Sequence, residues 1–209
     1  MTEPRKNPRQ QRSRRTVEWI LEAAARLFRE HGYTATTTNK VAELAGVSIG
    51  SLYQYFPNKD ALLVELARRH MDTAAEAVTA EISRAAEERR ELPDLLRGLI
   101  TLVADLHSGD SGLHLLLVGH ALRSPGPAAE LRAVEERIAR ALAAELRRAG
   151  AAGDTETAAL LAVQGIDAQI HGALLAPPPG RSPEEVLEAI IAQWTRALAP
   201  PDPAPEGAP

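Results

Sequence analysis

The amino-acid sequence predicts an all-α protein of about nine helices. Apolar residues recur at three- and four-residue spacing along nearly the whole chain, which is the period of amphipathic helices. No segment shows the two-residue alternation of a half-buried strand, and no internal repeat is visible. Gly, Pro and Ser collect between the periodic segments, around residues 109–112, 124–127, 150–153 and 177–180, where helices must break.

The 209 residues suffice for one large or two small domains, and a hydrophobic content of 44% supports a real core. Cysteine is absent, so disulfide frameworks and thiolate metal sites are excluded. The N-terminal stretch is basic and polar rather than apolar. No apolar run approaches the ~20 residues that span a bilayer, so a soluble cytoplasmic protein is expected. The net charge of −4 is unevenly placed. Residues 1–59 carry ten basic and five acidic residues, for +5, and the remainder carries −9. That asymmetry fits a basic nucleic-acid-facing end on an acidic body. Aromatics follow the same division: Trp19, Phe28, Tyr33, Tyr53, Tyr55 and Phe56 lie early, and only Trp194 lies beyond.

Residues 1–12 are polar, proline-containing and rich in Arg, and are expected to form a disordered basic arm. Such an arm is either drawn to phosphates or simply solvated. Val17, Ile20, Leu21, Ala24, Leu27 and Phe28 make one stripe and predict a first helix over residues 13–31, stopped by Gly32. Thr37 is a suitable cap for a second, short helix in which Val41, Ala42, Leu44 and Ala45 form the buried side. Gly46 can end that helix in the left-handed conformation, and Ser48 can cap a third at residues 48–56. Two helices joined by a short Gly-containing turn describe a helix-turn-helix, whose second helix enters the DNA major groove by its N-terminal end. Leu52 faces inward beneath that helix, so Gly50 and Gln54 lie opposite. Ser48 and Ile49 then occupy the entering end. Gly50 permits close approach, Ser51 and Gln54 offer hydrogen bonds, and Ile49 can pack on a thymine methyl. Asn39 and Lys40 sit early on the exposed side of the second helix. Asn58 caps a fourth helix reaching the mid-80s, roughly 40 Å long.

Helical patterns continue at residues 94–106, at 113–122 (short, almost wholly apolar), from about 128 to 149, at 155–176 (apolar on nearly every side) and at 183–199. The last opens on Ser182-Pro183-Glu184-Glu185, a capping box with proline at the first helical position. Residues 200–209 form a Pro-rich tail expected to be disordered. The layout is therefore an arm (1–12), a helix-turn-helix domain (13–60), a helical domain (61–199) and a tail (200–209).

The run from Thr36 to Leu62 resembles the DNA-binding domain of the TetR family of transcriptional regulators. Thr37, Val41-Ala42, Ala45-Gly46-Val47-Ser48, Gly50, Leu52-Tyr53, Tyr55-Phe56, Lys59 and Leu62 match its pattern. So do Ile20, Ala23-Ala24, Leu27-Phe28 and His31-Gly32-Tyr33 upstream. The likeness covers roughly residues 14–75 with specific motifs, and rests on helix number and length beyond them. It implies a homodimeric, ligand-responsive regulator, most often a repressor, on palindromic double-stranded DNA. It implies phosphate contacts at Thr37, Tyr53, Tyr55 and Lys59, and a base or backbone contact at Asn39. For Tyr53 and Tyr55 core packing is the alternative, and the two can coexist. A plain solvated side chain is the alternative for Asn39. The family pairs its last two helices, here 155–176 and 183–199, across a twofold axis.

The resemblance also implies a small-molecule effector pocket in the body. The scarcity of aromatics there points to aliphatic walls with a few polar groups, drawn from Met71, His107, His114, Gln164, Asp167 and His171. Asp167 and His171 stand four apart and suggest a satisfied buried pair. No nucleophile–base set, phosphate loop or metal-ligand spacing stands out, so neither an enzyme, a cofactor nor a metal is expected. The rival readings are a non-specific or architectural DNA binder, and a helical small-molecule binder or enzyme that retains the DNA-binding domain.

Overall fold

The computed structural model describes residues 8–108, 116, 119, 125–175 and 178–200. Their helices are α1 (Pro8–Ala35), α2 (Thr38–Leu44), α3 (Ile49–Tyr55), α4 (Lys59–Glu87), α5 (Leu92–Ser108), α6 (Pro125–Arg148), α7 (Thr155–Leu175) and α8 (Pro183–Ala197). No strand occurs among the described residues, and none of these helices is long and apolar enough to cross a membrane. The apolar segment expected at 113–122 lies largely outside the described residues, as do 1–7 and the tail beyond 200. The chain divides into two compact units, Met1–Arg69 with Gly112–Pro127, and His70–Ser111 with Ala128–Pro209, and the division falls within α4.

In the first unit, Ile20, Ala24, Leu27 and Phe28 of α1 pack with Val41 and Ala42 of α2, Leu52 of α3, and Leu62 and Leu63 of α4. The first helix begins earlier than its apolar stripe predicts. Residues 8–12 belong to it, which corrects the expectation of an unstructured arm there. Helix propensity and a proline at the first position extend the helix beyond the buried face. Gly32 leaves the helix with φ 72° and ψ 175°, and one further turn follows to Ala35. Thr36 is fully buried; its hydroxyl reaches the carbonyls of Leu27 (3.1 Å) and Gly32 (2.8 Å), stitching the chain reversal to α1. Leu44 was expected on the buried side of α2 but is 42% exposed. It sits at the helix's last residue, beyond the face fixed by Val41 and Ala42, and lines a shallow groove with the exposed Trp19.

In the second unit, α5 packs against α7 and α8, and α7 against α8. Leu95, Leu96, Ile100, Leu142, Leu146, Ala159, Ile166, Ile170, Ile190 and Ile191 fill that core. The capping box at Ser182 forms as predicted, with both reciprocal hydrogen bonds. A Cβ on Gly165 of α7 would lie 2.4 Å from Cζ2 of Trp194 on α8, so only glycine admits the indole there. The indole Nε1 donates to Gln169 Oε1 at 2.8 Å, which fixes its direction. At the α4–α5 turn the buried Glu81 carboxylate is paired with Arg84 and, at 2.7 Å, with Arg90.

Candidate nucleic-acid interface and a His–Asp–His cluster

The turn between α2 and α3 is closed as its residue types dictate. Gly46 adopts φ +67°, and the amides of Gly46 and Val47 reach back to Glu43 (3.1 Å) and Ala42 (3.0 Å), a Schellman closure. Ser48 caps α3: its Oγ accepts from the Ser51 amide (3.1 Å) and donates to the Ser51 hydroxyl (2.9 Å). Thr37 caps α2 by accepting from the Lys40 amide at 3.3 Å. Leu52 is wholly buried under α3, which turns the opposite face outward.

That outward face holds the predicted contacts. Ser48, Ile49, Gly50, Tyr53 and Gln54 are exposed on or beside α3, and Thr37, Asn39 and Lys40 are exposed on α2. Ser51 and Tyr55 are half-buried, the latter against the core. Tyr53, 51% exposed, has its hydroxyl 3.1 Å from that of Thr38, tying the start of α2 to α3. Gly50 is not required by the fold: a Cβ there would meet only Ser48 Oγ, at an ordinary 3.9 Å.

Both lysines of the predicted contact set are tied to backbone carbonyls. Lys59 Nζ donates to the carbonyls of Tyr33 (2.6 Å) and Thr36 (3.0 Å) and lies 3.9 Å from the Tyr33 ring centroid. Lys40 Nζ donates to Ala35 O at 2.9 Å. Both therefore neutralise carbonyls at the end of α1, where cations are favoured. An ammonium has three donors. The bonds described for Lys59 use two and that for Lys40 uses one, so a phosphate can still be a further acceptor. The same region is held by Tyr33, whose hydroxyl donates to Asp60, and by Arg69, which bridges Glu18 of α1 (2.5 Å) and Glu65 of α4 (2.8 Å). Glu65 is held below its ordinary value by hydrogen bonds from Arg68 and Arg69, partly opposed by burial.

In the second unit the predicted polar residues separate. Asp167 and His171 are joined as their spacing suggests, with His171 Nδ1 3.2 Å from Asp167 Oδ2 and 2.8 Å from the Asp167 carbonyl. The sequence does not announce that His107, from α5, converges on the same carboxylate, its Nε2 3.4 Å from Oδ1. The two imidazoles stand edge to face with centroids 4.6 Å apart. Burial opposes ionisation of Asp167, but hydrogen bonds from His107 and His171 outweigh it and hold the carboxyl well below the usual range. The bond to Asp167 in turn raises His171 above its ordinary value, against desolvation. No metal-ligand spacing stands out in the sequence, yet the fold brings together His107, Asp167 and His171, whose possible ligand atoms come from residues 60 positions apart and lie within 4.8 Å of one another. Gln164 does not join them. It is exposed and donates to Glu135 of α6 at 2.8 Å. Met71 is buried, and His114 lies outside the described residues. A separate groove of about 610 Å³ between α4 and α5 is lined by Ala77, Ala80, Glu81, Arg84, Gly98, Thr101, Leu102 and Asp105, none of them among the predicted effector residues.

Comparison with known proteins places both halves. Residues 20–66 match the family described as bacterial regulatory proteins, tetR family, and residues 91–199 match the tetracyclin repressor-like C-terminal domain. The fatty acid metabolism regulator protein of Bacillus subtilis is 30% identical over 89 residues, covering 43% of this chain and 46% of that protein. The HTH-type transcriptional repressor AcnR of Corynebacterium efficiens is 37% identical over 81 residues, covering 37% and 43%. The chain thus spans about half the length of the curated relatives it matches. Among solved structures, FadR of Thermus thermophilus, a TetR-family transcriptional repressor in complex with lauroyl-CoA, superposes with a TM-score of 0.63 at 24% identity over 92% of this chain and 100% of that one. A TetR family transcription regulator from Marinobacter aquaeolei gives 0.62 at 21% identity over 92% and 100%. These two likenesses establish the fold, while the two family matches together span most of the sequence. The chain belongs to the TetR family of bacterial regulatory proteins.

Proposed function

We propose that the protein is a sequence-specific, ligand-responsive transcriptional regulator, a repressor that acts as a homodimer on a palindromic operator. The observation that carries this is the face of α3: Ile49, Gly50, Tyr53 and Gln54 project outward from a helix clamped by the buried Leu52. A single such helix spans few base pairs, so two rigidly joined copies, each reading a half-site one helical turn away, supply the specificity. Ile49, Gly50, Ser51 and Gln54 address base edges. Thr37, Tyr53, Tyr55 and Lys59 address phosphates and set the register, with Asn39 and Lys40 flanking them. Helices α7 and α8 supply the dimer interface. In support, Leu161 of α7 is 58% exposed, and Ala168 and Gly172 lie on the same exposed stripe.

The effector is a small, largely aliphatic molecule bound in the second unit, and it acts by favouring one of two conformers through its difference in affinity for them. The groove between α4 and α5 has no aromatic wall, in keeping with that chemistry. The protein works by binding rather than catalysis, and in the cytoplasm where its DNA lies. Selection of bound duplexes from a random pool tests the reading: an inverted repeat is the expected product. A pool enriched for no sequence, with affinity falling equally with salt for every duplex, would instead establish a non-specific binder.

A further inference from the structure

We propose that His107, Asp167 and His171 bind one divalent transition-metal ion per chain, with at least one coordination position left open to a ligand. Metal binding itself does not depend on the regulatory reading above. Only a role for the ion in effector recognition would rest on it.

The geometry comes first. A tetrahedral ion with bonds of about 2.0–2.1 Å holds neighbouring donors roughly 3.3–3.4 Å apart. The two imidazole–carboxylate separations here are 3.4 and 3.2 Å, and one donor atom from each residue lies within 4.8 Å of the others. Ligation through His171 Nδ1 would replace its bond to the Asp167 carbonyl at 2.8 Å. The support is also in place. His107 Nδ1 faces the Val103 carbonyl at 2.5 Å; with an ion bound, a ring proton held on Nδ1 by that carbonyl would leave Nε2 free to ligate in place of its present contact with Asp167. A backbone acceptor behind a ligating histidine is the usual device for fixing tautomer and orientation. His107 is buried at 5% exposure, which limits how far the ring can swing away. The Asp167 side chain, by contrast, is 49% exposed and offers a way in for an ion.

The donor types choose the metal. Two imidazoles and one carboxylate suit zinc, cobalt or nickel, whereas magnesium and calcium demand all-oxygen shells. Among the described residues the set supplies three ligands, which leaves a tetrahedral ion a fourth position for a water or an oxygen donor from a small molecule. With neutral imidazoles and one carboxylate, the filled site keeps a net +1, which favours an anionic donor there.

The test uses the metal-free full-length chain, titrated with Co²⁺ in the absence of DNA and followed by visible d–d absorption and by equilibrium dialysis. One Co²⁺ per chain is expected, displaced by Zn²⁺ and unaffected by excess Mg²⁺. Asp167→Asn and His171→Gln, neither at a fully buried position, should each weaken binding at least tenfold, while His31→Gln at an exposed site should leave it unchanged. Azide should shift the Co²⁺ bands by entering the open position. Uptake well below one equivalent, or equal affinity in D167N and H171Q, would overturn the site. Because no operator is present, that failure would say nothing against the DNA-binding reading.

Discussion

Gly50 offers a way to separate what the fold needs from what the proposed DNA contact would need. It is helical, its φ is not in the left-handed region, and a Cβ there would touch only Ser48 Oγ at 3.9 Å. Gly50→Ala should therefore be accepted by the protein. Alanine is favoured over glycine within helices by about 0.5–1 kcal/mol. For a chain of this size that amounts to a rise of roughly 1–4 °C in Tm. On the DNA side, the methyl would stand between the α3 backbone and the base edges. Loss of the contacts at one base-pair position typically costs about 1–3 kcal/mol, or roughly five- to 150-fold in affinity. Thermal melts followed by circular dichroism, and fluorescence anisotropy with operator and random duplexes at one salt concentration, measure the two effects. Operator affinity should fall by that factor, while random-duplex affinity should change much less. A G50A protein that melts lower than wild type, or that binds the operator as tightly, would refute the reasoning.

Four further outcomes follow from other contacts. Lys59→Met keeps the aliphatic stem but removes the two carbonyl bonds, so it should cost about 1–3 kcal/mol of stability; a melt identical to wild type would place the ammonium elsewhere. Gly165→Ala should destabilise by about 1–3 kcal/mol and shift Trp194 emission, because the methyl would overlap the indole; unchanged emission would contradict the close packing. Glu65→Gln should lower stability above about pH 4.5, and the difference should close as pH falls through the lowered folded value, since a depressed carboxylate contributes only while ionised; a pH-independent difference between the two melting curves would exclude the ion pairs as its source. Gln54→Ala should change base preference in a selected pool, whereas Tyr53→Phe should weaken specific and random duplexes alike; the reverse pattern would interchange their roles.

Local chemistry in this chain is legible because it acts over few residues. Thr37, Ser48 and Ser182 cap the helices that their positions suggest, and Gly46 ends α2 with the closure that a left-handed glycine allows. Burial of Leu52 could be read from spacing alone, and with it the outward face of α3. Three matters could not. Leu44 continues an apolar pattern yet is exposed, since periodicity does not show where a neighbouring helix ends. Lys59 fits a phosphate-contact motif, but its bonds to Tyr33 and Thr36 arise from a chain reversal that no pattern encodes. The Asp167–His171 pair is visible at four-residue spacing, while His107 reaches it only through the packing of α5 on α7.

In the proposed complex Lys59 would arrive at the double helix already immobilised. A lysine that waves in solvent surrenders up to about 1.5–2 kcal/mol of rotamer freedom when it grips an anion. Here the carbonyls of Tyr33 and Thr36 impose that loss when the chain folds, and the aromatic face of Tyr33 holds the stem in line. A phosphate that meets the third proton would find a stationary charge, so the grip should be felt more as slow departure than as fast arrival.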